Sequence, residues 1–280
     1  MGNTLQCGRF KLSLERPLIM GIVNVTPDSF STGSSDFRIQ DAIDLAFRLI
    51  EQGADMLDIG GESTRPGADP VPEDEERRRV VPVLKALRDC GLPLSVDTFK
   101  PGVMRVALDE GADMINDITA FRDPQALQLV AGSECGLCVM HMQGEPRTMQ
   151  QAPQYNDVVA DVRHFLQQRC EALLQAGVQP NRITIDPGLG FGKTVAQNYQ
   201  LLRNLEGVQV NGLPWLLGVS RKSMIGHITG RTEPRDRVAG SIAAALAGVA
   251  RGVKIVRVHD VKETRDALRV WQAVEYGVEQ

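Results

Sequence analysis

Short apolar runs alternate with longer amphipathic segments along most of the chain. The runs are four to six residues long and rich in β-branched residues, which is typical of buried parallel strands; they cover residues 18–23, 56–59, 92–96, 114–118, 137–140, 183–186, 215–219 and 255–258. The segments between them have helical spacing, at residues 41–51, 73–88, 102–110, 124–131, 158–176, 197–204, 235–250 and 264–273. A strand followed by a helix therefore recurs about eight times.

This repeat predicts an α/β fold in which the strands close into a (β/α)8 TIM barrel. Eight such units fit a single domain that covers residues 1–280. An open, doubly wound sheet is the alternative that the same alternation allows. Residues 5–14 predict a short N-terminal β-hairpin that covers one mouth of the barrel.

Composition and charge narrow the choice of partners and compartment. The net charge is −4 and the basic residues are dispersed, so no nucleic-acid surface is expected. No apolar run approaches the roughly 20 residues of a membrane helix, and the first residues lack the apolar core of a signal peptide. Five cysteines at irregular spacing fit a reducing compartment, so we expect a cytoplasmic protein. Cys135 and Cys138 lack a second pair to complete a zinc site and are predicted to be buried structural thiols.

Residues 187–194 form a glycine-rich stretch that imitates a nucleotide-binding P-loop. The first glycine of a P-loop is replaced by Pro187, which has no N–H for a phosphate. A dinucleotide fingerprint fails as well, because Lys193 stands where a third glycine or alanine is needed. What remains is a strand that ends in Asp186 and opens into a glycine-rich loop.

Polar residues gather where the predicted strands end. They are Asn24, Asp58, Glu62, Asp97, Asn116, Asp117, His141, Asp186, Ser220, Arg221, Lys222, Arg257 and His259. An Asp or Asn directly after a strand is often a turn residue or a helix cap, and Asp58 and Asp117 fit that interpretation. Barrel enzymes carry their chemistry at the carboxyl ends of the strands, so the set as a whole predicts the rim of a pocket.

The rim residues divide by chemistry. One set suits a flat heterocycle with several N–H donors: Asp97, Asn116 and Asp186. A second set suits phosphate oxygens or a ring carbonyl: Arg65, Lys222, Arg257 and His259. The long polar segments 26–38 and 60–72 are candidate lids over such a pocket.

Two stretches, at residues 21–31 and 53–67, resemble the signature motifs of the dihydropteroate synthase family. Further landmarks of that family follow in the same order, at residues 95–98, 115–118, 140–142, 186–193, 218–223 and 257–260. The match departs from the family at Thr32, where the first motif usually has an aspartate. The resemblance extends from about Leu18 to the last predicted helix.

This resemblance implies a Mg2+-dependent transferase. It would condense 6-hydroxymethyl-7,8-dihydropterin diphosphate with 4-aminobenzoate, giving 7,8-dihydropteroate and pyrophosphate in folate biosynthesis. The reaction needs electrostatic stabilisation of a departing pyrophosphate and a cationic pterin, which would explain why no nucleophile triad is found. The family also implies a homodimer, formed through late helices such as residues 235–250.

The resemblance further implies a role for individual residues. Those expected at the pterin are Asp97, Asn116 and Asp186 on its edge, Lys222 on its carbonyl side, and Ile118, Met140 and the stem of Arg257 on its ring. Those expected at the diphosphate are Arg65, Arg257 and His259, with Asn24 on the Mg2+. Those expected at 4-aminobenzoate are Thr64, Pro66, Phe191, Lys222 and Ser223. The catalytic set would be Asp97, Lys222, Arg257 and His259.

Three alternatives remain open from the sequence. A pterin-binding methyltransferase barrel would share the pterin carboxylates but would not need the diphosphate residues around Lys222 and Arg257. A non-catalytic paralogue would bind a pterin without turning it over. A sugar-phosphate isomerase barrel would need a paired acid and base, which the rim does not offer.

Overall fold

The computed structural model describes residues 3–26, 35–63, 67–145 and 147–278, with the backbone alone at residues 35–38. Its strands are β1 Thr4–Cys7, β2 Phe10–Ser13, β3 Leu18–Asn24, β4 Met56–Gly60, β5 Leu94–Asp97, β6 Met114–Asp117, β7 Gly136–Met140, β8 Ile183–Asp186, β9 Trp215–Gly218 and β10 Val253–Val258. Its helices are α1 Ser35–Glu51, α2 Glu73–Leu87, α3 Pro101–Asp109, α4 Pro124–Ala131, α5 Val158–Gln175, α6 Val195–Arg203, α7 Leu205–Val208, α8 Ser223–Thr229, α9 Val238–Val249 and α10 Val261–Tyr276. None of these helices combines the length and apolar character needed to cross a membrane.

Strands β3 to β10 close into a parallel barrel in chain order, with β10 paired to both β9 and β3. Met20 of β3 pairs with Met56 of β4 and with Arg257 of β10, which completes the ring. Strands β1 and β2 form a separate antiparallel hairpin. The predicted TIM barrel and hairpin are confirmed, and the open doubly wound sheet is wrong.

The predicted strands and helices are all present, and some of the helices begin at other residues than predicted. Each barrel strand lies within two residues of its predicted bounds. Helix α6 begins at Val195, two residues before the predicted start, because Thr194 and Gln197 form a reciprocal capping box. The segment predicted as one helix from residue 235 begins with a 3₁₀ turn, Pro234–Arg237, before α9. The short helix α7 was not predicted.

The floor of the barrel is apolar and is covered by the hairpin. Leu5 and Cys7 of β1 join one buried cluster with interior residues of the barrel strands, namely Met20, Met56, Met114, Cys138, Leu216 and Ile255. Cys7 donates its S–H to the backbone oxygen of Asp113, at the amino end of β6. All five cysteines are free, and Cys135 and Cys138 are buried as predicted. The hairpin thus closes the mouth opposite the predicted rim.

Asp113 fastens the hairpin to the barrel, and its loss should destabilise the protein. Its carboxylate accepts from Arg9 Nε at 2.9 Å and from the backbone N–H of Leu94 at 3.1 Å. We expect Asp113→Ala to lower the free energy of unfolding by about 1–3 kcal/mol, because it leaves the buried Leu94 N–H without a partner. Urea denaturation measures this loss, with the exposed Asp89→Ala as a control. Equal losses in the two variants would show that the anchor contributes nothing specific.

Candidate active site at the carboxyl end of the barrel

The interior of the barrel changes from apolar to polar towards the carboxyl ends of the strands. Side chains two residues apart on a strand share a face. The floor residues Met56, Met114 and Ile255 are therefore followed on the same interior face by Asp58, Asn116 and Arg257. This alternation gives the barrel a dry floor and a polar upper layer.

Arg257 connects the strands of this polar layer. Its Nε donates to Asp58 Oδ2 at 2.5 Å, and its Nη2 donates to Asp97 Oδ2 at 2.7 Å. Asp58 also accepts from the Ser95 hydroxyl at 2.6 Å and from the Asn116 side-chain N–H at 3.1 Å. These contacts fix the Asn116 amide with its nitrogen towards Asp58. Its oxygen is then the atom that can accept from a ligand.

Asp97 combines deep burial with an unused acceptor. Its side chain is almost fully buried, and Oδ1 has no hydrogen-bond partner among the described residues. Burial raises the pKa of Asp97 to about 7; the charge of Arg257 opposes the rise, and Asp58, Glu76 and Asp117 add to it. A buried acceptor without a donor is costly, so this oxygen is suited to a ligand N–H.

Asp186 and Lys222 both approach the face of Gly218. A Cβ atom placed on Gly218 would lie 3.7 Å from Asp186 Oδ2, 3.9 Å from Lys222 Nζ and 4.0 Å from Arg257 Cδ. Asp186 Oδ1 accepts from the Gly188 N–H at 2.7 Å. Burial raises the pKa of Asp186 although Lys222 opposes it, and burial lowers the pKa of Lys222 to about 8 although Asp186 opposes it.

An apolar wall faces the polar layer. Ile118, Met140, Met142 and Met149 form a buried cluster, against which the rings of Phe99 and Phe191 pack. Lys222 Nζ lies 4.7 Å from the centre of the Phe191 ring and donates to the backbone oxygen of Leu189. A flat ligand can therefore meet methionine and isoleucine side chains on its face while its edge meets carboxylates.

The ends of β9 and β10 are tied together beside Lys222. Ser220 Oγ accepts from the His259 backbone N–H at 3.2 Å and lies 3.0 Å from His259 Nδ1. The Ser220 hydroxyl therefore contacts both the backbone and the ring of His259. Ser223 is exposed at the first position of α8. These side chains border the same mouth as Lys222.

Comparison with known proteins assigns the family. The sequence profile described as "Pterin binding enzyme" matches residues 20–259. The chain is 52% identical over 273 residues to a dihydropteroate synthase of Neisseria meningitidis serogroup C, covering 96% of both chains. The chain belongs to the dihydropteroate synthase family.

Solved structures of the family agree in fold over almost the whole chain. A dihydropteroate synthase of Burkholderia cenocepacia, complexed with 7,8-dihydropteroate, is 55% identical with a TM-score of 0.89, covering 98% of this chain and 96% of that one. One from Xanthomonas albilineans, with 4-aminobenzoic acid, is 52% identical with a TM-score of 0.92, covering 99% of each. The dihydropteroate synthase fold thus includes both the barrel and the N-terminal hairpin.

Most of the residues that the dihydropteroate synthase resemblance predicts to bind ligands lie at one end of the barrel. The polar layer holds Asp97, Asn116, Asp186, Lys222 and Arg257; the apolar wall holds Ile118, Met140 and Phe191; the mouth holds Asn24, Ser223 and His259. Thr64, Arg65 and Pro66 lie outside the described residues, as do Thr32 and most of segment 26–38. Their predicted roles stay predictions.

Several strand-end residues make structural contacts instead of lining the pocket. Asp117 accepts from the backbone N–H groups of Thr119 and Phe121, both at 2.7 Å, which confirms it as a turn residue. Glu62 forms an ion pair with Lys100. For Asp58 the turn interpretation is wrong, because its carboxylate is buried in the polar layer and bound to Arg257. Arg257 was predicted in the phosphate-binding set and Asp97 in the heterocycle-binding set. The bond between them shows that the two sets are in direct contact.

Proposed function

We infer that this chain condenses 6-hydroxymethyl-7,8-dihydropterin diphosphate with 4-aminobenzoate, releasing 7,8-dihydropteroate and pyrophosphate. The family membership gives the reaction, and the relatives solved with dihydropteroate and with 4-aminobenzoic acid give its product and second substrate. The observation that carries the inference for this chain is the buried, unpartnered Oδ1 of Asp97, whose other oxygen is bound by Arg257 in the polar layer. No donor of the described residues satisfies this oxygen, and a pterin edge offers several.

The pterin would lie between the polar layer and the apolar wall. Its N–H groups would donate to Asp97, Asp186 and the Asn116 amide oxygen, while Lys222 would donate to its ring carbonyl. Its face would pack on Ile118 and Met140, which are both nearly fully buried. This arrangement satisfies buried polar atoms and supplies apolar contact together, as small-molecule sites commonly do.

The reaction would proceed by departure of pyrophosphate before attack by the arylamine. Breaking the bond between the exocyclic carbon and the diphosphate oxygen leaves a cation that the pterin ring delocalises. The Asp97 carboxylate would stabilise that cation, while Lys222, Arg257, His259 and Arg65 would neutralise the departing oxygens. The amine nitrogen of 4-aminobenzoate then forms the new bond to carbon, and its proton passes to the released pyrophosphate or to water. No enzyme nucleophile is needed.

The residues present fit a Mg2+ ion bound together with the diphosphate. Mg2+ prefers oxygen ligands and often takes only one or two from the protein, with phosphates and water completing its shell. The Asn24 side-chain oxygen and Asp97 Oδ2 approach the same face of Gly60, at 3.5 and 3.9 Å from its Cβ position. The described residues contain no group of three or more His, Cys, Asp or Glu that could hold a metal alone. Asn24 would hold the ion, which would supply charge neutralisation at the diphosphate.

The 4-aminobenzoate site would be built around Phe191, Lys222 and Ser223. Phe191 offers a ring face, and Lys222 and Ser223 offer donors for the carboxylate. Thr64 and Pro66 would complete the site from segment 60–72. Lys222 would therefore lie between both substrates, in contact with each.

The activity should depend on pH as a bell with limbs near 7 and 8. The carboxylate form of Asp97 is the one that stabilises a cation, so kcat/KM should rise as pH increases through its pKa of about 7. The ammonium form of Lys222 is the one that donates, so kcat/KM should fall as pH increases through its pKa of about 8. Asp97→Asn should remove the acid limb at low residual activity, and Lys222→Arg should move the alkaline limb upward. If both limbs of the pH profile were unchanged in these variants, the two ionisations would belong to the substrates.

Incubation with both substrates and Mg2+ tests the proposal. Dihydropteroate and pyrophosphate should appear in equal amounts. Binding of the pterin diphosphate without product would instead show a non-catalytic paralogue. Methyl transfer from a methylated folate would show the methyltransferase alternative.

The proposal extends to the assembly and the compartment. A homodimer through α9 and α10 is supported by the small residues of α9 and by Val270 and Val274, which are exposed one turn apart on α10. Sedimentation equilibrium should then give twice the chain mass of 30.6 kDa. The free cysteines support a reducing compartment, consistent with the predicted cytoplasmic location.

A further inference from the structure

Lys193 is a buried lysine that the proposed reaction does not use. It is the P-loop-like lysine of the glycine-rich stretch, and only 2% of it is exposed. Its Nζ donates to the backbone oxygens of Gly188 at 2.8 Å and Phe191 at 2.9 Å, and lies 2.9 Å from Nδ1 of His141. Three acceptors thus surround Nζ, one for each donor of an ammonium group, while burial lowers the pKa of Lys193 well below its usual value and Asp186 opposes that shift.

His141 is held in the form that accepts this bond. It is nearly fully buried, with its ring edge-on to Phe165 at 4.9 Å between centres. Burial and the charge of Lys193 lower the pKa of His141 to about 2, so the ring is neutral. With Nδ1 accepting from Lys193, the proton of the ring lies on Nε2.

The loop that Lys193 closes fits tightly against the end of β7. Gly188 and Gly192 have positive φ of 65° and 64°. A Cβ on Gly188 would lie 1.8 Å from the His141 oxygen, and one on Gly192 would lie 2.6 Å from the Gln143 oxygen. Gly190 donates its N–H to Asn198 Oδ1 at 2.7 Å. The backbone from 188 to 192 therefore has one well-defined path.

That path determines where Lys222 lies. The Leu189 backbone oxygen accepts from Lys222 Nζ, and the Phe191 ring faces the same atom at 4.7 Å. Both groups belong to the span whose two ends, Gly188 and Phe191, are bound by Lys193. A loop that loses this clamp also loses its hold on Lys222.

We propose that Lys193, acting with His141, is a positioning residue that places Lys222 and the Phe191 ring by clamping the loop between Gly188 and Phe191. The inference rests on the proposed function, because it predicts that loss of the clamp lowers turnover and weakens the binding of 4-aminobenzoate. The Asp186 carboxylate accepts from the Gly188 N–H at one end of the clamped span, but its backbone is held in the barrel by β8. Pterin binding should therefore weaken by a smaller factor than turnover falls.

The test compares Lys193→Met with Arg182→Met, a matched loss of a buried cation. Arg182 is 3% exposed and donates to the backbone oxygens of Cys135 and Val130, both at 2.8 Å, at the opposite end of β8. Both variants should melt at lower temperature than the wild type. Only Lys193→Met should lower kcat and raise the KM for 4-aminobenzoate, each by about 10-fold or more, as small misplacements of reacting groups do. The dissociation constant for the pterin should stay within about threefold of the wild type in Arg182→Met, and in Lys193→Met it should rise by a smaller factor than kcat falls.

His141→Phe provides an independent reading, since it removes the acceptor and keeps a buried ring. Its kinetic effects should have the same pattern, and the double variant with Lys193→Met should lose less than the sum, as expected for residues that act as one unit. Lys193→Arg should recover part of the turnover. If Lys193→Met does not fold, His141→Phe and Lys193→Arg decide.

The outcomes separate the two proposals. A wild type that makes no dihydropteroate overturns the proposed function. If the wild type is active and the kinetics of Lys193→Met and His141→Phe equal those of Arg182→Met, the positioning role alone is overturned. Lys193 would then only stabilise the fold.

Discussion

Asp186→Asn should severely weaken pterin binding while the barrel stays folded. The Asp186 carboxylate is almost fully buried, and one oxygen already accepts from the Gly188 N–H. An amide can keep that bond through its oxygen, but it then presents its NH2 group to the N–H donors of a pterin. Removing one partner of a buried, charged hydrogen-bonded pair costs about 2–5 kcal/mol, which corresponds to a loss of roughly 30- to several-thousand-fold in affinity. Calorimetric titration with the pterin diphosphate measures this loss.

Asp186→Ala and Asp113→Ala complete the experiment. Asp186→Ala should also lose pterin binding, although it removes the repulsive donors as well as the acceptor. Asp113→Ala removes a carboxylate that is equally buried and also accepts a backbone N–H, but at the amino end of the barrel. It should lower stability and leave pterin affinity unchanged. Affinity near that of the wild type in Asp186→Asn would remove Asp186 from the pterin site.

The barrel was predictable because its signal is repeated and local. Each strand is a short apolar run that is buried on both faces, so it stands out from the amphipathic helices without knowledge of its neighbours. Helix α7 escaped because it has only four residues and begins two residues after the end of α6. The early start of α6 had a usable signal in Thr194 and Gln197, since that spacing is a capping box.

The polar layer was predictable only in part because its contacts join distant parts of the chain. The bonds from Arg257 to Asp58 and Asp97 span 199 and 160 residues and exist only because β10 closes onto β3. From the sequence, Asp58 was as consistent with a turn as with a site. The two-residue spacing of Met56 and Asp58 was the available signal, since it places both side chains on the interior face of the barrel.

The pairing of Lys193 with His141 shows a third case, in which the motif was noticed but not explained. Exclusion of a P-loop removed a phosphate as the partner of Lys193 and put nothing in its place. His141 lies 52 residues earlier, at the end of the neighbouring strand β7. A closed barrel brings those two strand ends together, so the fold prediction already contained the proximity. The depth of burial that makes the contact strong required the structure.

Lys222→Met should reduce kcat by about 10²-fold or more, because a charge aimed at the departing oxygens is worth most in the transition state. Lys222 Nζ lies near Asp186 Oδ2, donates to the Leu189 oxygen and faces the Phe191 ring. Methionine keeps most of the length and the contact with Phe191 but removes the charge and all three donors. Lys222→Arg keeps a charge and should retain more turnover, although its planar group cannot reproduce the geometry. Steady-state kinetics with both substrates varied separate kcat from each KM.

Lys262→Ala provides the control for net charge. Lys262 is exposed on the first turn of α10, so its loss makes the protein more negative by the same amount without touching the barrel mouth. Its kinetics should match the wild type, which would exclude weaker steering of the anionic substrates as the cause of the Lys222→Met defect. If Lys222→Met raised only the KM for 4-aminobenzoate and kept the wild-type kcat, Lys222 would be a binding residue of the second site. Stabilisation of the departing pyrophosphate would then fall to Arg257, His259 and Arg65.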